Sequence, residues 1–78
     1  MVKPTRVTNS IRALRFQAGE MTQGELAERV GVTRQTVNAI EAGKYSPSLE
    51  VAFKIAQVFD ASLEEVFHYP TVKTNLSP

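Results

Sequence analysis

The chain has no cysteine and no tryptophan, and only one histidine. Without cysteine there can be no disulfide framework, no thiolate metal site and no cysteine nucleophile. His68 stands near the C-terminal end with no nucleophile motif beside it. No metal-ligand cluster and no glycine-rich phosphate loop accompanies it, so neither an enzyme nor a cofactor is expected. No uninterrupted apolar run approaches the ~18 residues of a membrane span. Met1-Val2-Lys3-Pro4 does not open a signal peptide. A cytoplasmic location, away from membranes, is the expectation, and no small-molecule ligand is evident. With four Phe and two Tyr as the only aromatics, the core must be mostly aliphatic.

What is present describes one compact domain: 78 residues, 42% hydrophobic and 22% charged. At this size a core supplies only about 3–5 kcal/mol, so efficient helix packing, a partner subunit or both are expected. The nine basic and eight acidic residues nearly cancel, but not evenly along the chain. Residues 1–44 carry seven Lys/Arg and four Asp/Glu, whereas residues 45–78 carry two and four. The first half is therefore suited to an anionic partner and the second is not.

Five helices can be placed by their punctuation. Ile11, Leu14 and Ala18 recur on one face, after the capping candidates Thr8 and Asn9 and before Gly19. Thr22-Gln23-Gly24-Glu25 is a capping box, opening a second helix with Leu26, Ala27 and Val30 on one face. That helix stops at Gly31, which enters the left-handed conformation freely. Thr33 can cap a third helix seated by Val37 and Ile40 and ending at Ala42-Gly43. Pro47-Ser48 opens a fourth, with a predicted buried stripe of Leu49, Ala52, Ile55, Ala56 and Phe59. Ser62-Leu63-Glu64-Glu65 is a second capping box and starts a short fifth helix carrying Leu63, Val66 and Phe67. Thr5-Arg6-Val7 and Phe67-His68-Tyr69 are rich in β-forming types and could pair as a two-stranded antiparallel ribbon. The domain thus spans residues 1–70, and the polar stretch 71–78 is expected to be a frayed tail.

Only Gly31-Val32-Thr33 joins helices two and three, which forces the steep crossing of a helix-turn-helix. Ala27 must be small beneath helix three, and Val32 plugs the inside of the corner. The string Thr22-Gln23-Gly24-Glu25-Leu26-Ala27-Glu28-Arg29-Val30-Gly31-Val32-Thr33-Arg34-Gln35-Thr36-Val37-Asn38-Ala39-Ile40-Glu41 resembles the Cro/repressor-type helix-turn-helix regulators, the xenobiotic-response-element family. Gly43-Lys44-Tyr45-Ser46-Pro47-Ser48-Leu49 and Ser62-Leu63-Glu64-Glu65-Val66-Phe67 extend the resemblance across residues 9–70. It implies an all-α, five-helix lambda-repressor-like domain that binds double-stranded DNA and dimerises. One departure is Glu20, an extra residue between helices one and two, which the loop is expected to absorb.

A helix advances about 100° per residue, so with Val37 and Ile40 inward the outward face holds Gln35, Ala39 and Ala42, flanked by Arg34 and Asn38. Thr33, Arg34, Gln35, Asn38 and Ala39 are the candidate base readers, because recognition helices present their N-terminal part to base edges. The alternative is an ordinary solvated face. Candidate phosphate contacts are Thr22 and Gln23 at the start of helix two, with Thr36, Lys44 and Tyr45. Tyr45 could equally be a loop aromatic packed on the bundle, and Arg12 reads as a solubility charge. The resemblance also implies an Arg15–Glu41 ion pair bracing helices one and three.

The function expected is a sequence-specific transcriptional regulator, a repressor binding a palindromic operator as a homodimer in the major groove, among the nucleoid. Alternatives are an antitoxin or another interaction module on the same fold, and a dimerisation unit that has lost DNA binding. Val51, Phe53, Val66 and Tyr69 exceed what one apolar stripe buries and are the dimer-interface candidates.

Overall fold

The computed structural model describes residues 5–71. Strand β1 (Thr8–Asn9) leads into α1 (Ile11–Gln17), followed by α2 (Gln23–Val30), α3 (Arg34–Glu41), α4 (Leu49–Val58), α5 (Leu63–Val66) and β2 (Phe67–His68). The fold is five helices with one small antiparallel ribbon, as expected. The tail expected beyond Pro70 lies outside the described residues from residue 72 onward.

Capping chemistry fixes the helix starts. The Thr22 hydroxyl accepts from the Glu25 amide at 3.0 Å while Glu25 accepts from the Thr22 amide at 2.9 Å. Ser62 and Glu65 repeat the exchange at 3.2 and 2.7 Å. Thr33 and Ser48 each cap their helix through one such bond. Helix α1 starts differently. Its N-cap is Ser10, whose side chain makes no cap bond, and the Ile11 amide donates instead to Asn9 Oδ1 at 3.1 Å. Thr8, a capping candidate in the sequence, lies in the ribbon.

Ile11, Leu26, Val37, Ile40, Ile55 and Val66 are wholly buried and form the centre of one aliphatic core, with Met21, Ala27, Val30 and Ala56 around them. Val32, Leu14 and Phe59 pack against its edge. Gly31, at φ +85°, turns the chain between α2 and α3. Open space surrounds the place a Cβ would take there, so the demand is on the backbone and not on volume.

Four expectations are corrected. Leu49 is 65% exposed: as the first residue of α4 it has no preceding helical turn beside it and lines an open groove with Ala52, Leu63 and Phe67. Ala18 is exposed because α1 ends at Gln17. Phe67 belongs to β2, not to α5. The ribbon pairs Thr8 with His68 and Asn9 with Phe67, three residues later on the N-terminal side than Thr5–Val7. Thr5 instead closes a local turn on the Val7 amide at 3.1 Å. The Ser10 amide continues the pairing to the Val66 carbonyl at 2.8 Å, and Ser10 Oγ meets His68 Nε2 at 2.9 Å.

Val66, a dimer-interface candidate, is also corrected: the single turn of α5 points it into the core, where none of its surface reaches solvent. Val51 is half-buried against the same core, while Phe53 and Tyr69 are 48% and 62% exposed.

The amide bonds from Thr22 and Ser62 hold the Glu25 and Glu65 carboxyls below the ordinary glutamate range. Their stabilisation is complete above that range and is lost as the pH falls below it and through the lowered folded values. Acidification should therefore lower the urea midpoint, and Glu25→Gln with Glu65→Gln, which keeps a capping acceptor but removes the titration, should make that fall shallower. Identical pH profiles for the two proteins would show that the caps do not titrate with folding.

Candidate nucleic-acid interface

The α2–α3 corner determines which side chains point outward. Val37 and Ile40 seat α3 on the core, so Arg34, Gln35, Asn38 and Ala42 are exposed while Thr36 and Ala39 are partly covered. The exposed Thr33 caps the helix, and its hydroxyl also meets that of Thr36 at 2.9 Å. A methyl placed on Gly24 would touch Arg34 Cδ at 3.9 Å and Thr22 Oγ1 at 3.8 Å, so the starts of α2 and α3 lie side by side. At the far end, Gly43 at φ +72° and Lys44 donate to the Ile40 and Ala39 carbonyls at 3.1 and 3.0 Å. This leaves Lys44 exposed directly beyond α3. The Tyr45 ring packs against the core, as the alternative reading had it.

A connected polar network underlies the exposed face. Arg15 Nε donates to Glu41 Oε2 at 2.7 Å and Nη2 to Oε1 at 3.0 Å, a two-pronged pair from α1 to the last turn of α3. Both side chains are largely shielded, at 14% and 10% exposure. Arg15 Nη1 also holds the Met21 carbonyl at 2.8 Å, tying down the loop that carries Glu20, whose φ is +59°. Gln23 Nε2 donates to Glu41 Oε1 at 3.2 Å and to Asn38 Oδ1 at 3.3 Å.

These contacts change the reading of Gln23. Both of its side-chain N–H groups are occupied, so its side chain cannot clasp a phosphate as it stands. The main-chain amides of Gln23 and Gly24 have no hydrogen-bond acceptor among the described residues and are the groups suited to an anion. Two residues were missed. Asn9 Nδ2 donates to the Ile40 carbonyl at 2.9 Å, pinning the end of α3 to the ribbon. Arg12 lines one groove with Asn9, Arg15, Gln23, Asn38 and Glu41, beside α3. Helical periodicity showed that Arg12 is exposed but carried no signal of what it faces. The Asn9 bond joins residues 31 apart, which no local pattern reveals.

Arg15→Ala leaves the shielded Glu41 carboxylate without a cation and the Met21 carbonyl without this donor. It should destabilise the fold by about 3 kcal/mol, read as a shift in the thermal midpoint. Unchanged midpoints in both Arg15→Ala and Glu41→Ala would show that the brace carries no stability.

The geometry has counterparts in known proteins. The helix-turn-helix family profile matches residues 11–66. An uncharacterized HTH-type transcriptional regulator of Archaeoglobus fulgidus is 60% identical over 47 residues, 60% of this chain and 66% of its own length. A more distant relative, antitoxin HipB of Escherichia coli K12, is 33% identical over 60 residues, covering 77% of this chain and 67% of its own. The crystal structure of a candidate DNA-binding protein from Bacteroides fragilis superposes with a TM-score of 0.69 at 22% identity, over 80% of this chain and 98% of its own, a likeness of fold. The chain belongs to the helix-turn-helix family, among the DNA-binding transcriptional regulators of the Cro/repressor (xenobiotic-response-element) type.

Proposed function

We propose that the protein is a repressor that occupies a palindromic operator as a homodimer, with α3 in the major groove. The observation that carries this reading is the exposed face formed by Arg34, Gln35 and Asn38, bounded by the first-turn amides of α2 at one end and Lys44 at the other. Arg34 is suited to guanine O6 and N7, Gln35 to adenine, and the Thr33 and Ala39 methyls to thymine. The α2 amides, the Thr22 hydroxyl and Lys44 are suited to phosphates, and Thr36 to a flanking one. Selection of bound duplexes from a random pool tests the reading. Arg34→Ala or Gln35→Ala should cost about 1–3 kcal/mol on the selected site and relax one position, whereas Lys44→Ala should weaken all sequences alike. Equal losses on selected and random DNA for Arg34→Ala would make it a phosphate contact.

One recognition helix contacts too few base pairs to single out a genomic site, which favours two copies at half-sites about 34 Å apart. Phe53 and Leu49, exposed one turn apart on α4, and Tyr69 are the apolar groups available for that contact. Phe53→Glu should convert a dimer to a monomer in light scattering at micromolar concentration. A wild-type chain that stays monomeric on DNA and selects one asymmetric site would sink the dimer.

The likeness to HipB supports a second reading, the antitoxin of a toxin–antitoxin pair. Stoichiometric co-purification of one small protein distinguishes it from a free repressor.

A further inference from the structure

The two amides beside the α2–α3 groove have a fixed polarity. An ionised carboxylate only accepts, so Glu41 compels Gln23 to turn Nε2, not Oε1, toward it at 3.2 Å. The other hydrogen on that nitrogen meets Asn38 at 3.3 Å and requires an acceptor, so Asn38 turns Oδ1 to it. The ion pair thereby fixes every donor in the chain: Arg15 and Gln23 both donate to Glu41, and Gln23 also donates to Asn38. The Asn38 Nδ2 group is left over. It has no acceptor among the described residues, and Asn38 is exposed on the groove.

An asparagine with a free amide can present a donor, an acceptor or both to a base edge. We infer that the Arg15–Glu41–Gln23 chain turns Asn38 Oδ1 toward Gln23 and so presents Nδ2, its donor, to a base edge, with Gln23 as the residue that positions it. The inference rests on the DNA reading above and adds the chemistry of one position. Cytosine is the one base whose major-groove edge offers an amino donor and no acceptor, whereas guanine offers O6 and N7, adenine N7 and thymine O4. An amide held with Nδ2 outward therefore faces donor against donor at cytosine, and it should discriminate between the two orientations of a G·C pair.

The test is a set of parallel selections from one random duplex pool with the wild-type protein, Asn38→Ala, Asn38→Asp and Gln23→Met. Asn38→Ala identifies the contacted position by flattening it alone. There the wild type should favour one orientation of the G·C pair about fivefold, the lower end of what one good base contact discriminates. Asn38→Asp, a carboxylate that only accepts, should reverse that orientation by accepting from cytosine N4. Gln23→Met releases the Asn38 amide to rotate and should collapse the fivefold preference while other positions keep theirs. A wild type that selects no site would defeat the DNA reading itself. A wild type that selects a site, with the same orientation kept by Asn38→Asp or the full preference kept by Gln23→Met, would overturn the donor-outward assignment alone.

Discussion

Arg15 reaches from α1 to the last turn of α3 and grips both oxygens of Glu41, while its third nitrogen holds the Met21 carbonyl. Three parts of the chain are thereby fixed relative to one another: the first helix, the loop after it, and the end of α3. A lysine could supply the charge but not the planar fork that satisfies two carboxylate oxygens and a carbonyl together. Because Glu41 is also the acceptor for Gln23, the brace extends to the start of α2 and from there to Asn38. Structural support and surface chemistry are thus parts of one hydrogen-bonded chain.

The core performs the complementary task. Val37 and Ile40 fix the rotation of α3, and Asn9 fixes its C-terminal end through the Ile40 carbonyl. Asn9 sits in the ribbon that joins the two ends of the described chain, so closing the ribbon and holding α3 are coupled. A small aliphatic core has little stability to spare. The capping boxes and the shielded ion pair add directional constraints that apolar packing alone does not provide.

What could be read in the sequence was mostly local. Thr22 with Glu25, Ser62 with Glu65, and Gly31 after Val30 state their roles within four residues, because caps and turns are satisfied by near neighbours. Val37 and Ile40 were legible from helical periodicity, and the pairing of Arg15 with Glu41 came from resemblance. The misplaced residues have a shared cause. Leu49 continues the α4 stripe, but a stripe does not say where the opposing surface ends. Val66 looked surplus because a one-turn helix has too little periodicity to orient it. The three-residue shift of the ribbon and the Asn9–Ile40 bond depend on how the ends of the bundle meet. The engaged state of Gln23 likewise follows from α3 lying beside it, not from its place in a capping motif.

Entry of the braced face of α3 into the major groove, as proposed, is open to test by methylation interference on a selected duplex. Methylation of guanine N7 blocks the major-groove edge, and methylation of adenine N3 blocks the minor-groove edge. N7-methylated guanines within the contacted half-sites should be excluded from the bound fraction, whereas N3-methylated adenines there should be tolerated. Binding that survives N7 methylation throughout the site but fails on N3 methylation would place the protein in the minor groove instead.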